Sequence, residues 1–109
     1  MAFDQGLAQR LREQLEGSGR VAERKMFGGL AFLVDGNMCV GVMGDELIAR
    51  VGPDATEGAL ARPGSRLFDF TGRPMKGWVM VDPGALEADE ALAAWVADAL
   101  GYVRTLPPK

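Results

Sequence analysis

The sequence predicts an α+β domain, a largely antiparallel sheet with helices packed against it, in the order α-β-β-β-β-α-β-β-α. Two observations carry this prediction. Residues 26–52 contain three short apolar runs separated by two glycine turns, Asp35-Gly36 and Gly44-Asp45. An amphipathic run precedes these strands, and another follows the last predicted strand. We therefore expect one domain over residues 1–104 and a flexible tail over residues 105–109.

The first apolar stripe predicts a helix that covers the sheet. Its members recur every four residues, which places them on one helix face: Phe3, Leu7, Leu11 and Leu15. Gly17-Ser18-Gly19 ends this helix. An alternating strand follows from Val21 to Phe27, and Gly28-Gly29 then allows a tight turn.

The two glycine turns set the register of the next three strands. Asp35-Gly36 favours a type I′ turn and Gly44-Asp45 a type II′ turn. The expected cross-strand pairs are Leu33–Met38, Ala31–Val40, Val42–Leu47 and Val40–Ala49. Alternation then predicts one wholly apolar face: Ala31, Leu33, Met38, Val40, Val42, Leu47, Ala49 and Val51. It predicts a mixed opposite face: Leu30, Phe32, Val34, Cys39, Gly41, Met43, Glu46, Ile48 and Arg50.

The second half of the chain adds two strands and two helices. Gly52-Pro53-Asp54 starts a short helix that stops before Pro63-Gly64. We predict a strand over Arg66–Phe70, a loop over residues 71–77 and a last strand over Trp78–Val81. The final helix begins at Leu86 or Asp89, and Gly101 weakens its last turns.

Composition excludes several classes of site. The chain has 109 residues, a net charge of -3, one cysteine and no histidine. It therefore lacks an internal disulfide, a Cys-rich zinc site and any Ser-His or Cys-His dyad. No apolar run approaches the roughly 20 residues of a membrane span, and the amino terminus lacks a signal-peptide core. We expect a cytoplasmic protein without cofactor, metal, membrane contact or catalytic residues, and the acidity argues against direct nucleic-acid binding.

Four segments resemble a known family. They are MFGG at 26–29, LAFLVDGNMCVGV at 30–42, LIARVGPD at 47–54 and DFTGRPMKGWVMVD at 69–82. Together they resemble the amino-terminal domain of the TfoX/Sxy competence regulators, over nearly the whole chain. The resemblance implies an α+β fold similar to secretion chaperones, and a role as a transcriptional co-activator of DNA-uptake genes beside a cyclic-AMP receptor protein. The best-known members carry a second, helical domain after this one. This sequence stops at Lys109, directly after the first domain, so we expect the stand-alone form.

The loop over residues 71–77 is the first candidate site. It holds Arg73 and Lys76 between glycines, and Arg50 and Arg66 (with Arg62) are expected nearby, which would suit a phosphate, a carboxylate or an acidic partner. The alternative is an ordered connection between strands, whose cations are solvated or paired with Asp69 and Asp82.

Three other features have simpler structural explanations. Cys39 lies mid-strand, where a free cysteine is usually a buried, unreactive hydrophobe, although Arg50 is expected opposite it. The MFGG segment lacks the spacing of a nucleotide-binding loop and is followed by a strand, so we interpret it as a turn or bulge. Asp45 and Glu46 point to opposite faces, which makes them poor acid–base partners.

The mixed face is the second candidate site. We predict a contact surface there, formed by Phe32, Cys39, Gly41, Met43 and Ile48. The soft side chains Met38, Met43, Met75, Trp78 and Met80 would suit adaptable protein contacts, or alternatively belong to the core. The sequence therefore predicts a non-enzymatic protein-interaction module, an accessory regulator of transcription or competence that binds a protein partner or forms a homodimer. The alternative is a domain that binds a small anion or phosphate ligand through the loop of Arg73 and Lys76, with a minor catalytic activity left open.

Overall fold

The computed structural model describes residues 3–26, 28–69 and 75–109. It confirms the α+β fold and the predicted element order. The helices are α1 (Gln5–Leu15), α2 (Thr56–Leu60) and α3 (Asp89–Val103). The strands are β1 (Val21–Met26), β2 (Gly29–Val34), β3 (Asn37–Met43), β4 (Glu46–Arg50), β5 (Ser65–Phe68) and β6 (Met75–Val81). They form one sheet in the order β1-β2-β3-β4-β6-β5, and all neighbouring strands are antiparallel.

Helix α1 begins where the sequence supplies a cap. The Asp4 carboxylate accepts a hydrogen bond from the Leu7 amide at 3.1 Å, which satisfies one of the free donors of the first turn. Leu7, Leu11 and Leu15 are buried, as the four-residue spacing predicts. Phe3 precedes the helix instead and forms an isolated bridge with Gly44. None of the described helices is long and apolar enough to cross a membrane.

Gly101 does not end helix α3, which continues to Val103. A Cβ added at Gly101 would meet nothing within 4 Å. We expect Gly101→Ala to raise the free energy of unfolding by about 0.5–1 kcal/mol, because alanine loses less backbone entropy than glycine in a helix. Urea denaturation of both proteins measures this, and a lower midpoint for the variant would contradict it.

Both glycine turns of the central strands agree with the prediction. Asp35 and Gly36 have φ of 52° and 86°, as a type I′ turn requires at its two central positions. Gly44 has φ of 62°, the sign that the first central position of a type II′ turn requires. The predicted pairs Leu33–Met38, Val42–Leu47 and Val40–Ala49 are confirmed.

A bulge in β3 makes the predicted pairing of Ala31 with Val40 wrong. Ala31 pairs with Gly41 and Phe32 with Val40, while Leu33 keeps Met38, so Cys39 is an extra residue in the ladder. Because of this extra residue, each residue of the partner strand beyond the bulge lies on the face opposite to the one that a regular ladder would give it. The residues of β2 therefore exchange faces relative to the prediction.

The sheet has two different faces. Its inner face meets the helices in one core, which we call the helix-side cluster and which contains Leu30, Phe32, Val34, Cys39, Val40, Val42, Leu47, Ala49, Val79 and Val81. On the outer face lies a second group, which we call the outer-face cluster: buried Ile48, Phe68 and Met80, with half-buried Met38, Met43 and Trp78. Two predictions about the faces are wrong because of the bulge. Met38 does not lie on the covered face, and the covered face instead contains Leu30, Phe32, Val34 and Cys39.

The second half of the sheet also departs from the predicted bounds. Strand β6 begins at Met75, so residues 75–77 of the predicted loop belong to a strand, and β5 ends at Phe68. The glycine in this segment suggested a loop, but Gly77 adopts a φ of 97° within the strand. Its carbonyl accepts hydrogen bonds from both the Val51 and Gly52 amides, at 2.9 and 3.0 Å. Residues 27 and 70–74 of the predicted strands and loop lie outside the described residues.

The last residues of the chain lie against the β2–β3 turn. The Lys109 amide donates to the Asp35 carbonyl at 2.8 Å, and the Asn37 side-chain amide donates to the Pro107 carbonyl at 2.9 Å. Arg20 donates to the Lys109 carbonyl at 3.0 Å. These bonds position the end of the chain beside the β2–β3 turn. The predicted flexibility of residues 105–109 stays a prediction.

Candidate functional site

The outer face of the sheet is the main candidate surface, because the helices pack on the opposite side. Buried residues of all three helices, such as Leu11, Ala59 and Leu92, belong to the helix-side cluster. Within the described ranges, no helix residue belongs to the outer-face cluster. The outer-face cluster is therefore apolar and, among the residues that the structure describes, is not covered by a helix.

Three half-buried side chains form the solvent side of this cluster. Met38, Met43 and Trp78 pack against the buried residues of the cluster, of which Ile48 is fully buried. Ile48 pairs with Gly41 on one neighbouring strand and with Met80 on the other, so the cluster follows from the strand register. Methionine adapts its shape to a partner, and tryptophan is enriched at the energetic centres of protein interfaces. Chemically, this arrangement is suited to contact with an apolar surface.

A compensated ionic group borders the cluster. Arg66 contacts the Glu46 carboxylate at 2.6 Å and the Asp82 carboxylate at 3.3 Å. The hydrogen bond from Arg66 lowers the pKa of Glu46, against the opposing effect of partial burial. Arg66 is thus paired with two carboxylates. The alternative interpretation of the predicted anion site, an ordered connection between strands, expects such a pairing with Asp82.

This ionic group predicts a loss of stability in acid. A carboxyl whose folded pKa is lowered stabilises the fold above its unfolded pKa, here 4.5, and that contribution disappears as the pH falls through the folded pKa. We expect Arg66→Ala to cost about 0.5 kcal/mol at pH 7, since the Arg66 side chain is about half exposed to solvent, and close to nothing in strong acid. Urea unfolding of both proteins across this pH range measures the difference. A difference that grows on acidification would contradict the assignment.

The remaining predicted anion ligands are only partly brought together. Arg50 and Lys76 line one cavity of about 150 Å³, together with Trp78 and Tyr102. The Arg50 guanidinium carbon lies 5.0 Å from the Trp78 ring centroid and 5.6 Å from that of Tyr102. Arg66 is not among the residues that line this cavity, and Arg73 lies outside the described residues.

The contacts of Arg62 and Tyr102 differ from what the sequence predicts. Arg62, expected beside the anion loop, stacks on Trp95 at 3.4 Å and pairs with Asp98 instead. The predicted anion site does not include Tyr102, although an aromatic residue with a polar tip near a helix end can indicate a position that lines a site. Its approach to Arg50 depends on how α3 packs across the ends of the strands.

Cys39 is buried beneath the helices, which agrees with the interpretation as an unreactive thiol. Burial raises its pKa to about 12, because the thiolate loses hydration, and the charges of Arg104 and Arg50 offset this only in part. At neutral pH the thiol is therefore protonated. Within the described part of the chain, no three His, Cys, Asp or Glu side chains are placed to hold a metal ion.

The predicted contact surface is therefore only partly assembled on the outer face. Gly41, Met43 and Ile48 share the outer face, whereas Phe32 and Cys39 lie in the helix-side cluster. The bulge at Cys39 explains this difference. Of the soft side chains noted in the sequence, Met38, Met43, Trp78 and Met80 meet there, and Met75 is exposed elsewhere on β6.

Comparison with known proteins adds a family to this geometry. A family model described as the TfoX N-terminal domain matches residues 13–102. The matched range includes all six strands and nearly the whole of α3. The comparison with curated proteins finds no match.

Proposed function

Because the chain belongs to the TfoX N-terminal domain family, we propose that it is a non-catalytic regulatory domain that binds another protein through the outer face of its sheet. The family points to a competence-related regulatory role. The observation that carries the proposal is the outer-face cluster, an apolar surface without a helical layer in the described residues. Exposed apolar side chains that lie together often mark sites of protein contact, and Met38, Met43 and Trp78 keep part of their side chains exposed here.

The composition of the surface favours a protein partner. Met38, Met43 and Trp78 are half-buried, so each keeps part of its side chain available for contact. One charged group, Arg66 with Glu46 and Asp82, lies at the edge of the apolar cluster, as charged residues do at the rim of many protein interfaces. The positive charge at this border is compensated, and the net charge of the chain is -3, which disfavours the backbone of DNA or RNA as the ligand.

The proposed role follows from this surface and the family. The domain acts in the cytoplasm as an accessory regulator of transcription, and its effect depends on the protein that it holds. Cys39 takes no part in this role, because it is buried and its thiol is protonated at neutral pH.

A substitution in the native cell tests the proposal. Met43→Glu places a charge in the proposed interface at a half-buried position, where the fold tolerates it better than at Ile48. We expect cells that carry Met43→Glu to reproduce the transcript changes caused by deletion of the gene. The purified variant should keep the circular dichroism spectrum of the natural protein.

Val21→Glu is the matched control. It also places a glutamate at an exposed apolar position, on the edge strand β1, but its cross-strand partner Val34 belongs to the helix-side cluster, so the change lies on the opposite face. Cells with this variant should keep the natural transcript levels. Natural transcript levels with Met43→Glu, or no transcript change on deletion of the gene, would contradict the proposal.

A further inference from the structure

We propose a second site, a cavity at the end of β4 and the beginning of β6 that binds the phosphate group of a small molecule. Arg50, Lys76, Trp78 and Tyr102 line it together with Gly52, Pro53 and Gly77. Its function is separate from protein binding by the outer face, although Trp78 contributes to both surfaces.

The Arg50 guanidinium is held in place but is not neutralised. It lies near two aromatic rings, and Nη1 donates one long hydrogen bond of 3.4 Å to the Met38 carbonyl. Arg62 and Arg66 each contact a carboxylate, whereas Arg50 contacts none among the residues that the structure describes. A guanidinium has five N–H donors, so this one retains donors for a ligand.

Lys76 adds a second positive charge to the same cavity. Its side chain is exposed on β6 and forms no ion pair with a described residue. An arginine fork beside a lysine point charge matches a group with two negative charges and several acceptor oxygens. A phosphate monoester carries about -1.5 to -2 charges at pH 7 and three such oxygens.

The cavity is small and is bordered on one side by Gly52 and Tyr102. A Cβ at Gly52 would lie 2.3 Å from Cδ1 of Tyr102, so the glycine lets the ring close against the strand end. The resulting volume of about 150 Å³ is equivalent to about five liquid water molecules. That volume holds one phosphate group and the atoms next to it, and it lies below the roughly 300 Å³ of a typical cofactor pocket.

Titration followed by amide NMR tests the site. The natural protein is titrated at constant ionic strength with inorganic phosphate and, separately, with phenyl phosphate. We expect saturable shifts of the Gly52 and Gly77 amides in the phenyl phosphate arm. Saturation by inorganic phosphate as well would show that the phosphate group alone suffices, and saturation by phenyl phosphate only would assign a phosphate ester.

Charge variants identify the ligating side chains. Arg50→Gln and Lys76→Ala should each weaken binding about tenfold, because each removes a charged hydrogen-bond donor. Lys76 is exposed, so its variant keeps the test valid if Arg50→Gln disturbs the fold. Arg24→Gln removes an exposed positive charge from β1 and should leave the affinity unchanged.

Three results would overturn this inference: no saturable shift in either arm, unchanged affinity of Lys76→Ala, or equal binding of acetate, which carries one charge. Met43→Glu distinguishes the two proposals, since it should abolish the regulatory effect and leave the phosphate titration unchanged.

Discussion

Gly29→Ala is expected to destabilise the domain by about 3 kcal/mol or more, a large part of the roughly 5–15 kcal/mol that stabilises a typical native protein. A Cβ at this position would lie 2.0 Å from the Val42 carbonyl oxygen and 3.2 Å from the Cα of Met43. Both are backbone atoms of the neighbouring strand, so no side chain can rotate to relieve the contact. Strand β2 would have to separate from β3 at its first residue pairs.

Urea denaturation measures this effect, and Gly58→Ala is its control. Gly58 lies in helix α2, and a Cβ there would meet nothing within 4 Å. The control variant should be as stable as the natural protein or slightly more stable. If Gly29→Ala unfolded at the midpoint of the control, the close pairing of β2 with β3 at Gly29 would be wrong.

Phe32→Ala is expected to cost about 3–5 kcal/mol, the range observed when a large aromatic side chain is removed from a core. Phe32 is fully buried in the helix-side cluster because of the bulge at Cys39. The regular register would place it on the outer face, where the cost of truncation is smaller. The size of the effect therefore reports which register the strands adopt.

Met43→Ala is the comparison for this experiment. Met43 is half-buried on the outer face, and its truncation should cost about 1 kcal/mol or less. Equal losses of stability for Phe32→Ala and Met43→Ala would contradict the assignment of the two faces. Thermal unfolding followed by circular dichroism resolves a difference of this size.

The turns of the sheet were predictable because they depend on neighbouring residues. Asp35-Gly36 and Gly44 adopt the positive φ values that the turn types require, and the pairs beside them follow directly. The bulge at Cys39 was not predictable in the same way. Residues 37–43 are nearly all apolar, so either register buries hydrophobic side chains, and local preference does not select one.

The candidate sites were likewise predictable where they depend on local sequence, and not where they depend on contacts between distant elements. The surplus of methionine in the strands indicated an adaptable surface, and the sheet brings Met38, Met43 and Met80 together. The bulge decided which face Phe32 and Cys39 occupy. The cavity beside Arg50 requires Tyr102 of α3 to meet the ends of two strands, a tertiary contact that no local sequence pattern encodes.

Photo-crosslinking in the native cell tests the central claim, that the outer face binds another protein, most directly. A photoreactive amino acid replaces Met43 in one strain and, in another, the exposed Val21, which lies on the opposite face of the sheet. We expect a discrete adduct with a different protein from position 43 and none from position 21. No adduct from position 43, the same adducts from both positions, or an adduct with only a second copy of this chain would contradict it.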